Sequence, residues 1–264
     1  MYLSRIELTE AIANYSQLGL LLKDSSYGMH RLLWDLFESK ERFLFREENS
    51  QKQLGSPRAL PLYYVLSAEN PVSKSPIFKI DSKPFSPKLA KGDQLAFKLR
   101  ANPTVARKED GKKNSRRHDV VMDAQRQLLV LACNDRGLVK AENKVELKNL
   151  SKSDLRNLLL AHSDYQNQPS RKQLLESLDS AIETAAVNWI KRRGDAHGYD
   201  LVSVEATGYR WNALPEKSRN AGFSSMDYEG VLTIDNPELF AKMLVSGLGP
   251  SKAFGCGLML IKRI

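Results

Sequence analysis

The chain has 264 residues, of which 42% are hydrophobic, and a formal net charge of +9 at pH 7. This length suits one large domain or two small ones. The sequence has no apolar run long enough to cross a bilayer and no signal-peptide core at its start, so we expect neither a membrane-spanning nor a secreted protein. Positive charge favours a polyanionic partner, and the two cysteines form no disulfide or metal pattern. We expect a cytoplasmic protein that is monomeric when isolated.

The first part of the chain is predicted to form a ferredoxin-like unit. Leu3, Ile6 and Leu8 alternate with polar residues, which indicates a first strand. A helix is then predicted at residues 27–37, and strands at 42–46, 61–67 and 94–100. This order of strands and helix predicts an α+β fold of the ferredoxin-like type, with βαββαβ topology. The helix expected between the third and fourth strands is only weakly marked.

The helix predicted at residues 27–37 has one apolar side. That side is predicted to hold Met29, Leu32, Leu33, Leu36 and Phe37. His30 lies at the edge of this apolar stripe, and Arg31 points away from it. Tyr27 and His30 are spaced i, i+3, so they are neighbours on the helix surface. We expect both in the first turn, where a helix N-terminus favours bound anions.

The segment that follows residue 97 is the most basic part of the chain. Between Lys98 and Arg117 it contains eight lysines and arginines but only two acidic residues. Gly111 and Asn114 indicate a hairpin tip. A solvated loop is the plain alternative, but a run this one-sided beside a strand favours nucleic acid binding. The residues predicted to contact the nucleic acid are Lys98, Arg100, Arg107, Lys112, Lys113, Arg116, Arg117 and His118, with Arg31 and Lys252 elsewhere in the chain.

The second half of the chain is predicted to form a second ferredoxin-like unit with an enlarged helical region. Helices are predicted at residues 120–133, 170–193 and 236–246, and paired strands at 201–211 and 228–234. Residues 137–171 are polar, with one helical piece, and are predicted to be an insertion or a mobile surface region. We predict an amino-terminal domain of residues 1–97 and a carboxy-terminal domain of residues 98–264. The latter would contain the basic hairpin, a helical insertion at about 137–195 and a glycine-rich loop.

Glycine is concentrated in the segment Ser246–Ile264. Glycine adopts positive φ freely and lets the backbone approach a ligand, and exposed N–H groups beside a lysine can cradle phosphate oxygens. A flexible connection between helix and strand is the alternative. The predicted cradle consists of Gly247, Gly249, Ser251, Gly255 and Gly257, with Lys252 at its tip. The apolar run Leu258–Ile261 is predicted to be a buried strand at or near the centre of its sheet.

Histidine is the residue that best equips this chain for chemistry. The sequence has no HExxH, CxxC, GxSxG or Walker motif, so we expect no metal site and no cofactor. His162 and His197 are expected to be solvated, and His118 to touch phosphate. His30 suits metal-free RNA cleavage, in which a base takes the proton of a ribose 2′-hydroxyl and an acid protonates the leaving 5′-oxygen. Tyr27 would orient that hydroxyl or share the proton transfer. The alternative is that His30 is a half-buried helix residue with Tyr27 as packing.

Four segments, in this order along the chain, resemble one family. They are Tyr27–Phe37 (YGMHRLLWDLF), Phe97–Pro103 (FKLRANP), Gly230–Ile234 (GVLTI) and Gly247–Leu258 (GLGPSKAFGCGL). The glycine-rich segment alone is similar to many RNA-processing proteins of CRISPR systems. The combination, which spans nearly the whole chain, resembles the CasE family, the crRNA-processing endoribonucleases of the type I-E Cascade complex.

The resemblance implies two tandem ferredoxin-like domains and a catalytic pair, Tyr27 and His30, at the family's spacing. It implies binding of the repeat stem–loop in pre-crRNA and cleavage at the 3′ base of the stem. The products would be a 2′,3′-cyclic phosphate or 3′-phosphate and a 5′-hydroxyl, and the crRNA would be retained together with other Cascade subunits. The alternative from another class is a non-catalytic scaffold that binds an RNA hairpin. A His30 that is buried, or far from the glycine-rich loop and the basic hairpin, would favour the scaffold.

Overall fold

A computed structural model shows two compact units. The larger contains Met1–Asn102, Arg193–Val204 and Gly208–Ile264, and the smaller contains Pro103–Arg192 and Glu205–Thr207. The part of the chain that the structure describes includes no helix long and apolar enough to cross a membrane. The described residues are 1–11, 25–39, 41–48, 61–108, 111, 113–138, 150–214 and 221–264, with the backbone alone for 25–27.

The first sheet of the larger unit has four antiparallel strands in the order β2-β3-β1-β4. Its elements are β1 (Tyr2–Leu8), α1 (Ser25–Trp34), β2 (Leu44–Glu48), β3 (Leu62–Ser67) and β4 (Phe78–Pro84). Because β3 and β4 are both antiparallel to β1, the chain between them must cross the length of the sheet. Residues 68–77 make this crossover without a helix, beside the end of α1, where the Val72 amide donates to the Leu36 carbonyl at 2.9 Å. The weakly marked helix of the sequence is therefore not formed.

Helix α1 buries the apolar stripe that its sequence predicts. The stripe packs against Ile6 and Val65 of the sheet, and its buried members are Met29, Leu32, Leu33 and Leu36. His30 is half-buried and Arg31 is exposed, as expected for an edge and an outer position. The helix begins at Ser25, so His30 lies in the second turn. This corrects the expectation of a first-turn position and weakens the argument from the helix N-terminus.

The second sheet has the order β10-β5-β9-β8. Its elements are β5 (Gln94–Ala101), α5 (Gly194–His197), β8 (Tyr199–Ala213), β9 (Gly222–Ile234), α6 (Pro237–Ser246) and β10 (Met259–Arg263). Counted within this sheet, the strand order is fourth, first, third, second, the same as in the first sheet. The prediction of two tandem ferredoxin-like folds is confirmed. Strand β5 runs without interruption across the domain boundary predicted between residues 97 and 98.

Strand β10 lies at an edge of the second sheet, which corrects the prediction of a central position. It pairs with β5 and stands at the end of the strand order of this sheet. Leu258 and Met259 are nonetheless only 2% exposed. Leu258 belongs to a cluster with Leu44 and Leu66 of the first sheet, and Leu260 packs against it. The run is therefore apolar because the first sheet covers it, and not because β10 has a strand on either side.

The smaller unit is a β-hairpin followed by helices. Its elements are β6 (Thr104–Lys108), β7 (Ser115–Asp119), α2 (Val120–Asp135), α3 (Lys152–Ala161) and α4 (Gln168–Lys191). The Asp119 carboxylate caps α2 by accepting from two amides of its first turn. Helices α2, α3 and α4 share one apolar core, to which α3 contributes Leu155 and Leu159. The described part of the polar region at 137–171 thus contributes to a packed core.

Candidate active site and nucleic-acid interface

His30 lies among aromatic rings where α1 meets β2. Its ring centroid is 5.2 Å from that of Phe43, 5.4 Å from that of Trp34 and 5.8 Å from that of Phe45. Burial lowers the pKa of His30 below its usual 6.5. The imidazole is therefore mostly neutral at pH 7 and able to accept a proton. The side chain of Tyr27, its predicted partner, lies outside the described residues.

The glycine-rich loop meets this helix. Its central turn, Lys252–Phe254, which we call the glycine turn, packs against both α1 and β2. A Cβ atom at Gly247 would lie 2.8 Å from a methyl carbon of Leu44, and one at Gly255 would lie 3.4 Å from the ring of Phe45. Both glycines also have positive φ. Glycine at these positions thus lets the loop lie against β2, close to the helix that carries His30.

Much of the loop's backbone is hydrogen-bonded within the protein. The amide of Leu248 donates to the Gly257 carbonyl at 2.9 Å, that of Gly257 to the Arg100 carbonyl at 2.7 Å, and that of Gly255 to the Lys252 carbonyl at 3.3 Å. The Ser251 hydroxyl accepts from the Asn102 amide at 2.8 Å. These bonds give the loop a structural role, and the phosphate cradle stays a prediction.

Positive charge acts on two titratable side chains of the larger unit, Lys252 in the glycine turn and His197. Burial, and then the positive charge of Arg42, lowers the pKa of Lys252. Burial, and then the charges of Arg193 and Lys252, lower the pKa of His197. His197 is half-buried, which corrects the expectation that it is solvated. The charge of Arg42 thus acts on Lys252 and that of Lys252 on His197, although the three residues are far apart in sequence.

A charged network joins the two sheets of the larger unit. Arg100 of β5 makes two hydrogen bonds of 2.9 Å to Asp227 of β9. Arg46 of β2, which is 3% exposed, lies 3.6 Å from the same carboxylate and also pairs with Glu48. The three charges hold β2 beside the second sheet, and Phe45, the residue before Arg46, is one of the rings around His30. Asp227 therefore supports the wall of the candidate site.

Three of the residues predicted to bind nucleic acid are paired with carboxylates. Lys98 lies 2.7 Å from Glu229, and Arg107 lies 2.9 Å from Asp123. Arg100 is held by Asp227, as described above. A cation paired with a carboxylate offers less charge to a phosphate, and the role of these three residues in RNA binding stays a prediction.

The basic hairpin (β6–β7) presents its remaining cations to solvent. Lys113, Arg116 and Arg117 are exposed, and His118 is half-buried. Arg107 and Arg116 are directly opposite each other in the strand register. Two arginines thus lie side by side on this ribbon, and Asp123 pairs with one of them, Arg107. Lys112, also predicted to bind, lies outside the described residues.

The predicted site residues thus fall into two groups. The larger unit contains His30, Arg31, Lys98, Arg100, Lys252 and the glycine-rich loop, whereas the smaller unit contains Arg107, Lys113, Arg116, Arg117 and His118. Within the described ranges, no three side chains of His, Cys, Asp or Glu are grouped so that they could hold a metal ion.

Sequence reasoning missed Arg42, His197 and Asp227 as members of these clusters. Arg42 and His197 are far from Lys252 in sequence and interact with it electrostatically only in the folded chain, which no local sequence pattern predicts. Asp227 is one of several acidic residues on strands. Only its register opposite Arg100 distinguishes it, and that register requires the sheet.

Comparison with known proteins places the chain in a family. The model of the family described as CRISPR associated protein matches residues 1–263. The Cascade subunit CasE of Escherichia coli K12 is 23% identical, with 98% of each chain covered. The structure of Thermus thermophilus Cse3 bound to an RNA representing a pre-cleavage complex matches with a TM-score of 0.61 and 21% identity. The match covers 99% of this chain and 98% of that one. Escherichia coli Cas6e has a TM-score of 0.55, 21% identity and full coverage of both chains. The chain therefore belongs to the CRISPR-associated protein family, and the resemblance to CasE drawn from its sequence is confirmed.

Proposed function

We propose that this chain is a metal-independent endoribonuclease that processes CRISPR repeat RNA. The observation that carries the proposal is the place of His30. It is a half-buried imidazole, kept mostly neutral by burial, on a helix that packs against the glycine turn with its cation Lys252. A proton-transfer group beside a cation is what a metal-free phosphoryl transfer requires.

The reaction needs two proton transfers and charge stabilisation. The ribose 2′-hydroxyl loses its proton to a base, and its oxygen forms a bond to the adjacent phosphorus. The bond from phosphorus to the 5′-oxygen breaks, and an acid gives that oxygen a proton. The products are a 2′,3′-cyclic phosphate, which water can open to a 3′-phosphate, and a 5′-hydroxyl. His30 and Tyr27 carry the two proton transfers in this proposal, and nearby cations stabilise the phosphorane.

The substrate in this proposal is the repeat stem–loop of pre-crRNA, cut at the 3′ base of its stem. An A-form stem hides its bases in a deep, narrow major groove but exposes its phosphates. The exposed arginines of the basic hairpin suit such a backbone. The Thermus Cse3 structure contains RNA, and the Escherichia coli relative is a Cascade subunit. We propose that this chain likewise keeps its crRNA and assembles with Cascade subunits.

The alternative is a scaffold that binds the RNA hairpin without cutting it. The ring contacts of His30 with Trp34, Phe43 and Phe45 are those of a packing residue, and they favour this alternative. The proximity of its helix to the glycine turn favours catalysis instead. Both functions use the same basic hairpin, so only a cleavage assay separates them.

The decisive experiment incubates the purified protein with its repeat RNA in EDTA. We expect cleavage at the 3′ base of the stem, with a cyclic phosphate on the upstream product. A substrate with a 2′-deoxy sugar just upstream of the cut should bind and stay whole, because the attacking oxygen is gone. The matched control has its deoxy sugar one nucleotide further upstream and should be cut normally. Cleavage of the first deoxy substrate at the normal rate would mean that water is the nucleophile, and the roles given to His30 and Tyr27 would be wrong.

A further inference from the structure

The hairpin formed by β8 and β9 extends beyond the rest of the second sheet. Strand β9 begins at Gly222, but its pairing with β5 begins only at Met226. We call residues 208–214 and 221–225, at this end of the hairpin, the distal ribbon. At its tip the Leu214 amide donates across to the other segment at 2.8 Å. The distal ribbon is therefore a regular two-stranded element that β5 does not flank.

The indole ring of Trp211 lies against the backbone of the distal ribbon. A Cβ atom at Gly222 would lie 2.5 Å from Cζ2 of this ring and 2.6 Å from the Asn212 carbonyl oxygen, closer than real Cβ atoms approach. Space thus requires glycine at this position, and the ring occupies the place that a side chain would take. Trp211 is nonetheless 50% exposed, whereas Trp34 is half-buried and Trp189 is 2% exposed. One side of the ring is supported by the protein, and much of the rest faces solvent.

The distal ribbon packs against the glycine turn, next to the candidate active site. The rings of Phe223 and Phe254 have their centroids 4.9 Å apart. Arg210, the residue before Trp211, lines one cleft together with Phe45. The ring of Phe45 is in turn one of those around His30. The ribbon therefore carries its exposed indole close to the place where the cut is proposed.

The support of the ribbon is itself held in one conformation. Ser251, just before the glycine turn, has a φ of 61°, the one positive φ of a non-glycine residue in the described part of the chain. Such a strained conformation persists where surrounding structure imposes it, and here the buried Asn102 donates to the Ser251 hydroxyl at 2.8 Å. A Cβ atom at Gly257 would lie 3.3 Å from Cγ of Lys252, so the lysine stem runs along the backbone at that glycine. The ribbon thus packs on a turn that the fold fixes.

An exposed aromatic residue alone does not indicate a ligand, because scattered apolar residues are normal on protein surfaces. Trp211 differs because a glycine supports its ring and because Arg210, also exposed, precedes it on a ribbon beside the candidate site. Aromatic rings next to cations bind single-stranded nucleic acid, since bases stack on the rings and the cations attract the phosphates. The net charge of +9 favours RNA over an apolar protein segment as the occupant.

We propose that Trp211 is a stacking site for an unpaired base of the RNA next to the repeat stem. This inference rests on the proposed function, in which the RNA is cut at the base of its stem. Nucleotides there leave the duplex, so their bases are free to stack on an aromatic ring. Trp211 binds one such base and so helps to hold the strand beside His30, while Arg210 adds positive charge along the same path. Trp211 is thus a binding residue and takes no part in proton transfer.

The first test follows tryptophan fluorescence as RNA is added. The probe is the repeat hairpin with unpaired nucleotides on both sides of the stem and a 2′-deoxy sugar just upstream of the cut, and the control RNA ends at the base of the stem. We expect the flanked hairpin to quench the emission of the wild type more than that of Trp211→Phe, because a base in contact with the indole quenches it. The other two tryptophans are the same in both proteins. Equal quenching in the two proteins would overturn the proposal.

The second test measures the affinity of the same two RNAs at constant salt. Trp211→Ala should weaken binding of the flanked hairpin roughly 5–150-fold, as expected for loss of one stacked base, and binding of the trimmed hairpin much less. Trp211→Tyr keeps an aromatic ring and should recover most of the affinity. Val202→Ala, at another exposed position on β8, is the matched control and should bind normally. Unfolding midpoints confirm that each variant is folded, and equal losses for both RNAs would overturn the stacking site.

The outcomes separate this inference from the proposed function. A protein that cuts RNA, but whose Trp211→Ala variant binds the flanked hairpin as tightly as the wild type, would overturn the stacking site and leave the nuclease in place. A protein that shows the Trp211-dependent quenching but does not cut would refute the nuclease and support the stacking site. Normal RNA binding by Trp211→Ala together with lost association with Cascade subunits would overturn the proposal and assign the ring to a protein interface.

Discussion

Lys252 of the larger unit is half-buried and held by the fold near the helix of His30, whereas the cations of the basic hairpin are concentrated on one exposed β-ribbon. Lys252 is positioned by a strained turn and a glycine contact. Arg116 and Arg117 lie on an exposed strand. The strained turn lowers the stability of the fold but fixes the position of Lys252. The exposed strand presents its charges to solvent with little loss of stability.

This difference corresponds to two physical demands of an RNA-processing enzyme. Proton transfer and charge stabilisation require groups held within a few tenths of an ångström of their places. Attraction to a polyanion requires only enough accessible positive charge, because release of counterions from the RNA supplies the free energy. Changes near His30 should therefore act on rate, and changes in the basic hairpin should act on affinity.

The largest expected effect is on the cleavage rate of His30→Ala. Loss of a general acid or base typically costs about 10²–10⁴ in rate. Hairpin affinity should stay close to that of the wild type, because other cations bind the RNA. Single-turnover cleavage and filter binding measure the two quantities. His162→Ala, which removes a histidine of the smaller unit, is the control and should cut normally. Tyr27→Phe should lose less than His30→Ala, since it keeps the ring.

The next effect is on stability. Asp227→Ala should lower the free energy of unfolding by about 2–4 kcal/mol, because it leaves Arg46 buried without that partner. Glu229→Ala, two residues along β9, breaks only the exposed pair with Lys98 and should cost less than about 1 kcal/mol. Urea unfolding measures both. Equal losses in the two variants would mean that the network is no stronger than a surface ion pair.

A third effect is on RNA affinity and concerns the arginines of the basic hairpin. Arg116→Ala/Arg117→Ala should weaken hairpin binding roughly 10-fold near physiological salt. It should also flatten the log–log salt dependence by about 0.7–0.9 for each RNA phosphate that the protein no longer neutralises. Arg107→Ala should change both less, because Asp123 already neutralises that charge. A slope unchanged in the double variant would show that the basic hairpin does not touch the RNA backbone.

The smallest effect is on the pH dependence of stability. Because burial lowers the pKa of His30, the unfolded chain takes up a proton at this residue more readily than the folded one. Its contribution is fully present above pH 6.5 and is lost as the pH falls from there toward the folded-state pKa. Between pH 7.5 and 5.5, the wild type should therefore lose more stability than His30→Gln. Urea unfolding at both pH values measures this difference. Equal losses of stability in the wild type and His30→Gln would mean that the His30 side chain is solvated.

Local features were predictable from the sequence. The stripe of Met29, Leu32, Leu33 and Leu36 repeats at the period of a helix, and that period already determines which side is buried. The same period places His30 at the edge of the stripe, and in the structure this residue is half-buried. The strand and helix order likewise predicted both ferredoxin-like folds, because each element carries its own periodicity.

Non-local features were not predictable. The apolar run Leu258–Ile261 would look the same in a central strand as in an edge strand that another sheet covers, so its place in β10 could not be deduced. His197 follows a cation-rich helix end, and only the folded chain brings it under the charge of Lys252. Contacts between distant segments depend on how the sheets pack, which one sequence does not report.

The chain order of the two sheets has a consequence for synthesis on the ribosome. The strands of the first sheet and helix α1 are complete once β4 has emerged, whereas the glycine turn that packs on α1 is translated much later. At about 5–20 residues per second, the delay is on the order of ten seconds or more. During that time a nascent chain can carry a folded α1 but not the loop that completes its surroundings. Translation itself would thus keep the protein from cutting RNA until both halves have been made.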